Sequence, residues 1–193
     1  MPKLYIIAGC NGAGKTTASY SLLPKMLECY QYVNSDEFAK YLSPFTPQDA
    51  SLMAGRYMVE KIHYLMRRKE DFSIETTLAT RSLMRTIEEA KENGYTVTIL
   101  FFWLESPEMA ISRVKERVSN GGHDIPESII RRRYTMGLQY FFNDYCTVCD
   151  RWILADNSRP PFSVIAEGYA NDTVIRDQKK YEKIISDLLR QNQ

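Results

Sequence analysis

The stretch Gly9-Cys10-Asn11-Gly12-Ala13-Gly14-Lys15-Thr16 decides the fold. It matches G-x-x-x-x-G-K-[ST] at every fixed position. The apolar run KLYIIAG precedes it and the helix-forming GKTTASYSLLPKMLECY follows, with Pro24 expected to bend or end that helix early. In a strand–loop–helix context, such a loop turns backbone N–H groups inward around phosphate oxygens, and the helix N-terminus adds positive partial charge. Gly9, Asn11, Gly12, Ala13, Gly14 and Thr17 are therefore candidate nucleotide-binding residues. Lys15 is expected to reach the β and γ phosphates, and Thr16 to offer its hydroxyl to Mg²⁺. A flexible glycine turn is the bland alternative, and the context argues against it. No N-K-x-D guanine reader is present, so ATP is the expected nucleotide.

Working outward, YQYVNS, DFSIETTL, YTVTILFFWL and RWILADNS read as further strands. YTVTILFFWL is apolar without alternation, as in a strand covered on both faces. Helices fall between them. One opens at Thr46-Pro47 and carries Ala50, Ala54, Met58, Ile62 and Leu65 at helical spacing. One runs from about Arg81 to a stop at Gly94. One opens at Ser106-Pro107-Glu108 and breaks at Asn120-Gly121-Gly122. Another runs from near Pro126 toward Asp144. FSVIAEGYANDTVIRD reads as a hairpin turning at Ala170-Asn171-Asp172, and a last helix holds Tyr181, Ile184, Ile185, Leu188 and Leu189 on one side. Strands alternating with helices predict a three-layer α/β/α domain of the P-loop NTPase class, nucleotide-kinase-like. It should have a mostly parallel five-stranded sheet, with ligands at the strands' carboxyl ends. One domain over residues 1–193 is expected, with a lid at about 113–133 and the hairpin and final helix at about 160–193.

The 193 residues can enclose a real core. With 25 basic against 24 acidic residues, the net charge of +1 gives no broad reason to expect nucleic acid or a membrane surface as the main partner. No apolar run approaches the ~20 residues of a bilayer span. No signal-peptide pattern opens the chain, so a cytoplasmic protein is expected. Cys146 and Cys149 form a lone C-x-x-C. A structural zinc needs four ligands, and His63 and His123 do not supply a second pair, so structural thiols are expected.

Three carboxylates fall at strand ends: Asp36, Glu75 and Asp156. A kinase needs one to orient the acceptor hydroxyl and take its proton. In Ser35-Asp36-Glu37, either Ser35 or Asp36 could simply cap a helix starting near Glu37. The position of Asp36 after the second strand favours the acceptor-side base. Glu75 is costly inside a strand unless paired or coordinated. It is assigned to Mg²⁺ or the acceptor, with Thr76 and Thr77 lining the same pocket; an exposed edge strand is the alternative. Arg113 and Arg117 share a helix face, and Arg131-Arg132-Arg133 follow the glycine break, which together describe an arginine-bearing lid. Consecutive helix residues point ~100° apart, so one or two of the three can face a site. Arg117 and Arg132 are the expected catalytic pair, with Arg113 third at the nucleotide. A solvated basic face is the competing explanation.

Taken in order, GCNGAGKTT, VNSDEF, FSIETTLA, NGYTVTILFFWLESPEMAISRVKERVSNGGHDIPESIIRRRY and DNS resemble the zeta-toxin-like P-loop kinases over most of residues 4–158. The resemblance implies a nucleotide-kinase-like fold using ATP and Mg²⁺. It also implies a small hydroxyl acceptor, such as the sugar of UDP-N-acetylglucosamine, and brings in a cognate antitoxin as protein partner. It puts Asp36 at the family's catalytic aspartate, Lys15 at its phosphate-loop lysine and Glu75 at the acid of its third strand. Two rivals stand beside this: an ATP-gated binding protein without phosphotransfer, and a polynucleotide-end kinase, which the near-neutral charge disfavours.

Overall fold

The computed structural model describes residues 1–122, 124–169 and 172–191. Its elements run β1 (Lys3–Ala8), α1 (Lys15–Met26), β2 (Gln31–Val33), α2 (Ser35–Leu42), a 3-10 turn (Pro47–Ala50), α3 (Ser51–Arg68), β3 (Phe72–Thr76), α4 (Met84–Glu92) and β4 (Thr96–Trp103). Then come α5 (Pro107–Ser119), α6 (Glu127–Tyr140), a π-helical segment (Phe141–Tyr145), α7 (Cys146–Val148), β5 (Arg151–Asp156), β6 (Ser163–Tyr169), β7 (Asp172–Ile175) and α8 (Gln178–Gln191).

The strands form one sheet in the order β2-β3-β1-β4-β5-β6-β7. The first five are parallel, as expected. The hairpin is not a separate appendage: β6 and β7 add antiparallel to the β5 edge, so the sheet has seven strands, not five. The residues expected at its tip, Ala170 and Asn171, lie outside the described ones.

The central strands feed two cores at once, because successive side chains point to opposite faces. On one face Leu4, Ile6, Val97, Ile99 and Phe101 pack with Ile62, Leu65 and Ile87 from α3 and α4. On the other, Tyr5, Ile7, Leu100 and Phe102 pack with Leu22, Ala110 and Val114 from α1 and α5. Pro24 does not stop α1, which runs two residues past it and ends where the Leu27 N–H reaches back to the Leu22 carbonyl. After Tyr140 the helix widens into the π segment, in which Phe141 and Tyr145 are both fully buried. Among the described residues no helix is long and apolar enough to cross a membrane.

The register brings the carboxyl ends of four strands together. Ile7 and Ala8 of β1 lie beside Glu75 and Thr76 of β3, Ala8 lies beside Phe101 of β4, and Trp103 lies beside Asp156 of β5. Asp156 is spent on architecture. Its carboxylate receives Lys180 of α8 at 2.8 Å and the Ser158 N–H at 2.8 Å. Burial alone would raise its pKa; the hydrogen bonds from Lys180 and Ser158 outweigh burial and hold it below the usual aspartate value. A depressed carboxylate stabilises the fold above its unfolded pKa, near 4, and loses that contribution as pH falls through the folded value. Lys180→Met should therefore cost about 1–3 kcal/mol at pH 7. The deficit should shrink as thermal melts are run toward pH 3, where the wild type loses the same interaction.

Candidate active site

The phosphate loop is held open from behind. Gly12 and Gly14 have φ of +81° and +79°. A Cβ on Gly12 would stand 2.5 Å from the Ala110 carbonyl oxygen, and one on Gly14 2.5 Å from Asn157 Nδ2. Only glycine fits either place without strain. Asn157 Nδ2 donates to the Ala13 carbonyl at 2.7 Å, pinning the loop to the end of β5. No side chain caps the N-terminus of α1, so its first-turn N–H groups remain for an anion. Buried Lys15 donates to the Cys10 carbonyl at 3.0 Å. The Cys10 thiol is pushed up to about 11 by burial, against the pull of Lys15, and stays protonated.

Glu75 is the centre of the polar cluster. β3 lies inside the sheet between β2 and β1, which rules out the exposed-edge alternative. Tyr32 pairs with Ser73, and Ile7 with Glu75, so Tyr32, Ser73 and Glu75 share the face covered by α1. Thr16 Oγ1 lies 3.0 Å from both Glu75 oxygens. Lys15 Nζ stands 3.9 Å from Glu75 Oε1, and the Tyr32 hydroxyl donates to Oε2. Burial first, and then the charge of Glu75, push the Tyr32 phenol well above the usual tyrosine value, so it remains a donor.

The helix cap falls neither to Ser35 nor to Asp36. Asn34 caps α2: its Oδ1 accepts the N–H groups of Asp36 at 2.9 Å and Glu37 at 3.3 Å. The Asp36 carboxylate is thereby released from capping. It is exposed at the wall of a cleft of about 800 Å³. The same cleft is lined by Asn11, Gly12, Gly14, Lys15, Thr16 and Thr17, by Glu75, Thr76 and Thr77, and by Asn157. Gly9 and Ala13 do not line it; Ala13 is fully buried in the core behind the loop. Thr77 reaches its place because Leu78 takes a left-handed turn, its N–H held by Thr76 Oγ1 at 3.0 Å.

The arginines divide differently from expectation. Arg113 and Arg117 line the cleft, and Arg113 donates to the carbonyls of Asn157 at 2.9 Å and Ser158 at 2.8 Å. From α6 it is Arg133, not Arg132, that faces in. Arg132 is exposed and off the cleft. Arg133 stands three residues after buried Ile130 and four before buried Gly137, so it lies on the inward side of the helix. Its guanidinium donates to Asn11 Oδ1 at 2.9 Å. Burial draws its pKa down while nearby Asp36 pulls it up. Gly137 carries no side chain where the Thr77 carbonyl approaches; a Cβ there would be 2.7 Å from that oxygen. His123, in the glycine break, lies outside the described residues.

Tyr32, Asn34 and Arg133 escaped the sequence. Asn before Ser-Asp-Glu is a cap signal, and the helical phase from Ile130 could have chosen Arg133. Nothing local could have chosen Tyr32, whose role depends on strand register.

The sequence profile of the zeta toxin family matches residues 1–143. The chain belongs to the zeta toxin family of P-loop kinases. It is 33% identical over 133 residues to a Haemophilus influenzae protein described as uncharacterized, a match covering 68% of this chain and 92% of that one. It superposes on AvrRxo1-ORF1, solved with ORF2 and ATP, with a TM-score of 0.78 at 16% identity, over 95% of this chain and 63% of the other. The PezAT toxin–antitoxin system of Streptococcus pneumoniae gives 0.65 at 18% identity, over 98% and 88%. This chain thus spans less than two thirds of the AvrRxo1-ORF1 chain, and both structural likenesses speak for the fold. The zeta toxin match ends within the π segment, so β5 to α8, including Asn157 behind the phosphate loop, lie beyond it.

Gly14→Ala should strain a left-handed residue and crowd Asn157, costing about 1–3 kcal/mol. Asn157→Ala removes the crowding but not the φ penalty. The double variant should therefore recover part of the loss in a chemical-denaturation series.

Proposed function

We propose that this zeta-toxin-family chain transfers the γ-phosphoryl group of ATP to a hydroxyl of a small acceptor, with a nucleotide sugar such as UDP-N-acetylglucosamine as the leading class. One observation carries this: phosphate loop, buried Lys15, a hydrogen-bond-free Asp36 carboxylate (among the described residues) and Arg133 line or border one cleft. A switch protein without an acceptor has no use for a carboxylate kept free of capping. The ATP in the AvrRxo1-ORF1 structure supports the choice of nucleotide.

Each residue has a distinct task. The loop N–H groups and Lys15 hold the phosphates. Asp36 orients the acceptor hydroxyl and takes its proton as the oxygen attacks phosphorus; the bond to the β–γ bridging oxygen breaks and ADP leaves. Arg133 and Arg117 bring positive charge to the transferring group, and residues 113–133 act as the lid. The Thr16 hydroxyl and Glu75 carboxylate are hard oxygen donors 3.0 Å apart. Among the described residues no three His, Cys, Asp or Glu side chains gather into a metal cage. One carboxylate and one hydroxyl fit Mg²⁺, which takes its remaining ligands from water and phosphate. When bound there, the ion neutralises charge on the β and γ phosphate oxygens.

We extend to this chain a protein antitoxin as partner, from the PezAT system and the ORF2 complex. We also take residues 1–193 as one kinase unit acting in the cytoplasm.

Incubation with ATP, Mg²⁺ and a nucleotide-sugar panel, followed by mass spectrometry, should yield an acceptor heavier by one phosphoryl group. Asp36→Asn should lower the rate about 10²–10⁴-fold. Equal rates for the variant would remove Asp36 as base, and ATP loss without any phosphorylated acceptor, from the panel or a metabolite extract, would end the kinase assignment. Arg133→Ala should cost about 10²–10³-fold, while exposed Arg132→Ala should stay within about twofold.

A further inference from the structure

The Tyr32 hydroxyl belongs to a hydrogen-bonded chain that joins the two halves of the site. Asn34 Nδ2 donates to the Tyr32 oxygen at 2.9 Å, while Asn34 Oδ1 caps the helix that carries Asp36. Tyr32 in turn donates to Glu75 Oε2, and Glu75 meets Thr16 and Lys15 of the phosphate loop. Tyr32 does not line the main cleft. It stands on the β2 side, at the wall of a smaller cavity of about 260 Å³ between β2, α2 and α3. It therefore acts on the main cleft through Glu75 and Asn34, to which its hydroxyl is bonded.

We propose that Tyr32 is a positioning residue: its hydroxyl fixes the Glu75 carboxylate in the orientation that presents both oxygens toward Thr16, and so prepares the divalent-cation ligand. This rests on the phosphotransfer assignment above and adds a residue to it. A carboxylate in a strand can rotate about its last torsion, which is broad and weakly restrained. Thr16 alone can donate only one proton. A second donor, reaching in from β2 and itself fixed by Asn34, removes that freedom. Outer partners of this kind orient metal ligands, and their loss commonly weakens metal binding or activity about 10–100-fold. Because Asn34 also sets the start of the Asp36 helix, the same hydroxyl ties the metal side of the cleft to the acceptor side.

The test uses the full chain, a non-hydrolysable ATP analogue and Mn²⁺, with bound metal read by electron paramagnetic resonance. Tyr32→Phe deletes one oxygen and keeps the ring, including its edge contact with Tyr20. It should weaken Mn²⁺ about 10–100-fold, with metal-free nucleotide affinity near wild type and a melting temperature only about 2–8 °C lower for the lost hydrogen bond. A ligand-positioning role also demands non-additivity: in a Glu75→Gln background, Tyr32→Phe should cause little further loss. Unchanged Mn²⁺ affinity in Tyr32→Phe, or fully additive losses in the double variant, would overturn the role. A wild-type chain that binds no nucleotide would instead overturn the phosphotransfer assignment itself, so the two failures read differently.

Discussion

A carboxylate placed inside a parallel sheet is costly unless charged and polar partners replace the water it loses. Glu75 meets that condition with Lys15 and Thr16 at the start of α1 and with Tyr32 of β2. The rest of the site follows from satisfying this one group. The phosphate loop must end beside β3, so β1 and β3 must be neighbours. The β2 edge must present an aromatic hydroxyl on the same face, which fixes its register. Removing Glu75 would leave Lys15 buried with, among the described residues, the Cys10 carbonyl as its hydrogen-bond partner.

Much of this could be read from residue order. Glycines at 9, 12 and 14 followed by Lys15-Thr16 carry a mechanism local to eight residues, and the alternation of apolar strands with helices carries the topology. The likeness to zeta toxins was visible in FSIETTLA and GGHDIPE and agrees with the profile over residues 1–143. What stayed hidden depended on geometry between distant segments. Arg132 and Arg133 are chemically alike, and only the phase set by Ile130 and Gly137 separates them. The hairpin read as an addition because FSVIAEGY does not state which strand it will join; the pairing of Leu154 with Ala166 does. Asp156 resembled a site carboxylate by position, but its partner Lys180 lies on a helix at the far end of the chain.

The two cysteines of the C-x-x-C lie in a packed environment that their spacing does not reveal. Burial pushes the Cys149 thiol up to about 12 and Cys146 further still. Cys149 is buried in, and Cys146 packs against, the core that holds Phe141 and Trp152.

The sheet ends in two very short borders: β2 with three residues on one side and β7 with four on the other. A long, flat, unpaired strand is a template on which a second molecule can continue the hydrogen-bond ladder. Here the template is too brief on either margin. The fold thus keeps a broad apolar interior while denying neighbouring molecules a foothold for fibrous growth.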